Sequence, residues 1–190
     1  MSAVVSFEDL AEVIRELPPS CGPVRLVVVD GPGGSGKTTF ADRLARVLDA
    51  QVIHSDDFPV PWDEPPVAWF TQVEEQVLVP LAAGRAGRYR RYDWARGAFT
   101  DWVDVPVAPV LLLEGVSTAR RTTPAALAVW VEAPDELRLA RALARDGASY
   151  APQWREWMRA EQEWFASDGT RSRADLLLDG AAVPGEFVRL

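Results

Sequence analysis

The chain has 190 residues, of which 48% are apolar and 25% charged, an ordinary composition for one globular domain. Its formal net charge is −8 and it has no run of five basic residues, which argues against an electrostatic nucleic-acid binder. One cysteine, Cys21, leaves no internal disulfide to form, and the longest unbroken apolar stretch, Val105 to Leu113, is nine residues with two prolines, far short of the roughly 20 that span a bilayer. A reducing compartment, the cytoplasm, is therefore expected, with no membrane partner. The opening residues carry neither a basic segment nor an apolar one, so no signal peptide is expected.

Ser6 followed by Asp9 forms a capping box, and Phe7, Leu10, Val13, Ile14 and Leu17 continue at helical spacing until Pro18 and Pro19 stop the helix. Val24 to Val29 is a short β-branched run that reads as a strand buried on both faces. A glycine-rich turn leads into a helix from Thr38 to Leu48, and Gln51 to His54 makes a second strand. Residues 59–106 change character, being rich in Pro, Trp and Arg; one helix is expected there, because Trp69, Val73, Val77 and Leu81 repeat every four residues, with Pro80 kinking or ending it. Strands follow at Val110 to Leu113 and Leu127 to Val131. Helices follow at Pro134 to Arg145 and Trp154 to Phe165, and a last strand at Ala174 to Leu178. This alternation predicts an α/β fold with a parallel five-stranded sheet.

The segment Gly31-Pro32-Gly33-Gly34-Ser35-Gly36-Lys37-Thr38 fits GxxxxGK[ST], the P-loop, and sits between a predicted strand and a predicted helix, as that motif requires. Glycines let main-chain N–H groups converge on phosphate oxygens, and the following helix offers its N-terminus to the anion. Gly31, Gly33, Gly34, Ser35, Gly36, Lys37, Thr38 and Thr39 are thus expected to bind ATP. Lys37 is the only lysine in a chain with nineteen arginines, and it falls where a compact ammonium is wanted rather than a planar fork. The chain has no Asn, which excludes the guanine-reading Asn-Lys-x-Asp of GTPases and the metal-binding Asn of protein kinases.

Glu114 ends the run Val110-Leu111-Leu112-Leu113, and on a strand beside the P-loop strand it would stand next to Mg²⁺ together with the Thr38 hydroxyl. Asp56 and Asp57 follow the second strand, beyond whose carboxyl end an open α/β sheet binds ligands. Asp56 is the leading candidate to accept a hydroxyl proton or to hold the metal through water. Arg138, Arg141 and Arg145 share one helix face, set either to close over the γ-phosphate or to lie in solvent. His54 reads as strand-end packing, the cluster Arg85, Arg88, Arg90 and Arg91 as solvated surface, and Trp154, Trp157 and Trp164 as packing residues at helical spacing.

Beyond the P-loop, the chain resembles the uridine kinase family of P-loop kinases, which includes nicotinamide riboside kinase-like members. The resemblance rests on Asp56-Asp57-Phe58, Trp62-Asp63-Glu64-Pro65, Tyr92-Asp93-Trp94, Leu112-Leu113-Glu114-Gly115, Arg138-Leu139 through Arg145-Asp146, and Ala174 to Leu178, in the family's order over roughly residues 24 to 180. It implies a three-layer fold of nucleoside-monophosphate-kinase type with a helical lid: one domain over 1–190, an acceptor-binding insert at 59–106 and a lid at 134–150. It further implies transfer of the γ-phosphate of MgATP to a small-molecule hydroxyl, with Asp56 as base. Asp57, Asp63, Tyr92 and Asp93 would then lie on the acceptor side, and Arg141 and Arg145 would be lid arginines. Two departures stand out. Ala95-Arg96 follows Tyr92-Asp93-Trp94 where pyrimidine-reading members carry His-Ser-Arg, and Asp146-Gly147-Ala148 replaces the Arg-Gly that ends the family's lid. A nucleoside is the expected acceptor; a vitamin or sugar alcohol, or an ATP-binding switch with slow hydrolysis, are the alternatives.

Overall fold

Leu26, Val27, Val28 and Val29 have no solvent exposure, as a β-branched run covered on both faces requires. They form β1 (Arg25–Asp30), the central strand of the structure, a computed structural model that describes residues 6–181. The one-domain reading over 1–190 runs past the described residues at both ends. The remaining strands are β2 (Gln51–His54), β3 (Gly87–Asp93), β4 (Ala98–Val105), β5 (Val110–Glu114), β6 (Leu127–Glu132) and β7 (Leu176–Asp179). Five of them build the expected parallel sheet in the order β2-β5-β1-β6-β7.

Alternate residues of each strand point to opposite faces. On one face Val27, Val29, Leu112 and Val129 pack against α1 (Phe7–Glu16) and α2 (Lys37–Leu48) through Leu10, Ile14, Phe40 and Leu44. On the other, Leu26, Val28, Leu111 and Leu113 meet Trp69, Phe70, Val73, Val77 and Leu81. Fully burying one such aliphatic side chain contributes roughly 1.5–3 kcal/mol. α1 starts at the expected cap, with Ser6 Oγ accepting from the Asp9 N–H at 3.0 Å.

Residues 59–106 hold more order than their composition suggests. The helix comes as α3 (Phe70–Val73), a widened π-turn over Glu74–Leu78, and α4 (Val79–Ala82). A proline ring clashes with the carbonyl four residues before it, which for Pro80 is that of Gln76. That residue lies inside the widened turn, so the helix passes Pro80 and ends only at Ala82, with Gly84 just beyond its cap at φ +68°. The antiparallel hairpin β3–β4 is an addition to the sequence reading. Its outward positions are Arg88, Arg90, Trp102 and Asp104, and only Tyr89, Val103 and Val105 mark an inward face.

The chain then forms α5 (Asp135–Asp146), α6 (Ala151–Asp168) and α7 (Thr170–Arg173). α6 is longer at both ends than the apolar spacing indicated, with Pro152 accommodated in its first turn, where no N–H partner is needed. The last strand lies two residues further on than Ala174, at Leu176–Asp179. Among the described residues, no helix is long and apolar enough to cross a membrane.

Candidate active site

The turn from β1 into α2 carries the P-loop. Gly31 has φ +139°, and a Cβ there would stand 2.0 Å from the Val131 carbonyl oxygen; Gly34 has φ +76°, with the Arg138 carbonyl oxygen at 2.6 Å from such a Cβ. No side chain fits either place, so the loop can wrap tightly only with glycine. Lys37 opens α2 as a buried residue, its Nζ donating to the Pro32 carbonyl at 2.9 Å. Thr38 and Thr39 follow, exposed at the helix N-terminus. The Ser35 hydroxyl is buried without a hydrogen-bond partner.

β5 lies between β1 and β2, and its register sets Glu114 opposite Val29 on one side and His54 on the other. This brings the buried Glu114 carboxylate to the loop: Thr38 Oγ1 donates to its Oε2 at 3.2 Å, and His54 Nδ1 lies 2.8 Å from the same oxygen. His54 Nε2 is 3.6 Å from Asp42. The hydrogen bond to Glu114 is the main cause that holds the His54 imidazole above its ordinary value, against the opposing effect of burial.

Asp56 sits in the short turn Ser55–Asp57 after β2. It opens to solvent, yet the surrounding walls crowd it, and this desolvation, followed by the Glu114 charge, raises its carboxyl above the usual range. Arg145, Lys37 and His54 act in the opposite sense. Both oxygens of its neighbour Asp57 are engaged within the protein, Oδ2 accepting from the Tyr89 hydroxyl at 2.5 Å and Oδ1 pairing with Arg91 Nε at 3.1 Å. Asp56 is thus the exposed acid of the pair, within reach of the Glu114 and Lys37 charges. Arg91 and Arg88 are not bare surface cations, since Arg88 pairs with Asp104 and lies over the Trp102 ring.

Of the three arginines of α5, Arg138 and Arg141 reach the loop. Arg138 donates to the Gly33 carbonyl at 3.0 Å and pairs with Glu161 of α6 at 2.6 Å. Arg141 donates to the carbonyls of Gly34 at 3.2 Å and of Gly180 at 3.0 Å. Arg145 pairs with Asp146 and feels the charges of Asp56 and Glu114. Trp154 is the buried tryptophan of α6, and it packs beside the loop rather than in an apolar core: a Cβ on Gly33 would come within 3.0 Å of its ring.

Of the residues expected on the acceptor side, Asp63 is exposed in the segment after Trp62, whose ring meets Tyr150, Trp154 and Trp157. Tyr92 packs edge-on against Trp94 and Phe99 near the hairpin tip, and the Asp93 carboxylate accepts from the Arg96 N–H at 3.0 Å. Trp94 Nε1 donates to the Asp56 carbonyl at 2.7 Å and so ties the hairpin to the turn.

Sequence reasoning passed over three residues of this constellation. His54 is legible afterwards from register, because two neighbouring strand ends must face each other. Asp30, fully buried, accepts from the N–H groups of Gly31, Ser117 and Ala119 and joins the P-loop to the loop after β5. Glu161 lies 128 residues from the glycine it binds, and no motif marks it.

No family model matches the sequence, and no curated protein does. Solved structures match over most of its length. One, described as a possible uridine kinase from Bacillus stearothermophilus, is 18% identical, with a TM-score of 0.66 over 90% of this chain and 96% of that one. A fructose transport system kinase candidate from Silicibacter sp. TM1040 is 20% identical, with a TM-score of 0.63 over 91% and 98%. The YGR205w protein is 12% identical, with a TM-score of 0.63 over 97% and 99%. The chain shares the fold of these structures. In this fold the glycine loop, Thr38, Glu114 and Asp56 meet at the carboxyl ends of β1, β5 and β2, where an open parallel sheet places its ligands.

Proposed function

We propose that the chain is an ATP-dependent phosphotransferase that moves the γ-phosphate of MgATP to a hydroxyl of a small molecule, with a nucleoside as the first acceptor to test. The observation that carries this reading is the 3.2 Å contact between Thr38 Oγ1 and Glu114 Oε2 at the rim of the glycine loop, with Asp56 open to the same cleft.

The residues present fit a magnesium nucleotide. Hydroxyl and carboxylate oxygens are the hard donors Mg²⁺ takes when it keeps waters and phosphate oxygens as its other ligands. Thr38 would hold it directly, and Asp56 and Glu114 through water. Among the described residues no three His, Cys, Asp or Glu side chains form a cage of their own, so the remaining ligands would come from water and phosphate. When bound, the ion neutralises charge on the β- and γ-phosphates. The amides of Gly34, Gly36, Lys37, Thr38 and Thr39 cradle the triphosphate, while those of Gly31, Gly33 and Ser35 stay on Asp30, Glu161 and the Pro32 carbonyl and fix the loop's shape. The Lys37 ammonium, now on the Pro32 carbonyl, turns to the phosphate oxygens. Asp56 takes the proton of the acceptor hydroxyl as its oxygen attacks the γ-phosphorus and the bond to the β-phosphate oxygen breaks. Arg145, which feels the charges of Asp56 and Glu114, supplies a planar cation to the charge that develops. Arg141 orients the Gly34 and Ser35 carbonyls and with them the amides that follow. Residues 59–106 would bind the acceptor through Asp63, Tyr92 and Asp93, with Asp57 fastening the hairpin, and 134–150 would serve as the lid. The cytoplasm suits both the donor and the lone buried Cys21.

The test is ADP release from MgATP with nucleosides, vitamins and sugars offered in turn. Release that depends on one acceptor class identifies the kinase and its substrate. Release indifferent to all of them would refute the transferase and favour a slow ATP-hydrolysing switch. Lys37→Ala and Asp56→Asn are each expected to abolish transfer while the protein stays folded, and normal turnover by either would remove its assigned role.

A further inference from the structure

The mechanism above makes no use of Glu161, although its side chain is 1% exposed and sits at the phosphate loop. Its Oε2 accepts from the Gly33 N–H at 2.8 Å, while its Oε1 accepts from Arg138 Nη1 at 2.6 Å. The same Arg138 nitrogen donates to the Gly33 carbonyl at 3.0 Å. One loop residue is therefore held at both its donor and its acceptor by two side chains that also hold each other. Arg138 is itself 6% exposed and arrives from α5, Glu161 from α6, so the two helices converge on a single residue.

Stability alone is a poor reason to keep such a pair. Removing two charges from water costs several kcal/mol per ion, and apolar replacements of similar volume often stabilise as well or better. Position supplies the reason. A carboxylate is a strong acceptor for an amide, but alone beside a triphosphate site it would repel the ligand. The guanidinium, whose other nitrogen pairs with the exposed Asp135 at 2.9 Å, offsets the buried charge of Glu161 and anchors the carbonyl at the same time. Trp154, also on α6, packs against Gly33.

We propose that Glu161 and Arg138 form an ion-paired clamp on Gly33 that holds the phosphate loop in its nucleotide-binding conformation, which makes both of them positioning residues for MgATP. The inference rests on the nucleotide site of the proposed phosphotransferase, not on its acceptor.

Calorimetric titration of the folded, full-length protein with MgATP tests it. Glu161→Ala is expected to raise Kd about tenfold, the loss of one charge-assisted hydrogen bond, whereas Glu161→Gln, whose amide oxygen still accepts from Gly33, stays within about threefold. Arg138→Ala is expected to be the worst single change, about a hundredfold, because it leaves an unpaired carboxylate facing the triphosphate. The double variant should bind better than Arg138→Ala alone, a coupling that loss of folding stability does not produce. If Arg138→Ala does not fold, Arg138→Lys replaces it: the charge is kept, the two-way grip is lost, and weaker binding is again expected. Wild-type Kd in folded Glu161→Ala and Arg138 variants, or simple addition in the double variant, would overturn the clamp. Wild-type protein that binds MgATP but phosphorylates nothing leaves the clamp standing and sinks the kinase reading; wild-type protein that binds no MgATP overturns both.

Discussion

Thr38 and Glu114 are 76 positions apart in the chain and 3.2 Å apart in space. A hydroxyl and a carboxylate reach that distance because β5 inserts between β1 and β2 and ends level with the glycine loop. His54 then decides how the carboxylate is aimed, since its Nδ1 occupies the same Oε2 from the other flank. In the proposed mechanism Glu114 would stand beside Mg²⁺, and partners that orient such a carboxylate typically change affinity or activity by about 10–100-fold when removed. His54→Ala is therefore expected to lower turnover by about tenfold and to raise the Mg²⁺ concentration needed for half-maximal rate. A magnesium titration of the variant against wild type checks this, and an unchanged magnesium midpoint would reduce His54 to packing.

At the scale of elements, β1, α2, β5 and α5 were legible because each joins a strong period to a motif. The hairpin β3–β4 was not, for a physical reason: its strand character comes from contacts made across the fold. Tyr89 stacks on Phe58 with centroids 5.1 Å apart and donates to Asp57, while Arg91, where the register of the ladder shifts, reaches the other oxygen of that carboxylate. A seven-residue window that reads Gly-Arg-Tyr-Arg-Arg-Tyr-Asp shows neither partner. The second aspartate of the Asp56-Asp57 pair was legible as a polar residue at a strand end, but not as the pin of a distant hairpin. Tyr89→Phe keeps the ring and removes the donor to a buried carboxylate, so it is expected to destabilise by about 1–3 kcal/mol in denaturant unfolding. The lesson of Glu161 is the same in stronger form, because a helix with mixed polar and aromatic faces gives no hint that one acid turns inward to a loop far upstream.

At the scale of the whole molecule, stability should depend on pH through Asp30. Burial pushes its carboxyl up to about 7, against the pull of three main-chain N–H groups and the Lys37 charge. The group is an acid whose folded value lies above its unfolded value of 3.8, so between the two the native state binds the proton more tightly. Its stabilising contribution is complete below the unfolded value, declines as pH rises and is gone above about 7, a swing on the order of 4 kcal/mol. Melting curves recorded from pH 4 to 8 should show that decline, and Asp30→Asn should flatten it; a slope unchanged by the substitution would assign it elsewhere. The lone lysine has its own consequence at this scale. Every other side-chain cation is a guanidinium or the single imidazole, and the one ε-amine is folded under the loop against a carbonyl. An amine-selective acylating reagent thus has one side-chain target in the protein, and the mass it adds reports the accessibility of the phosphate cradle without any engineered label.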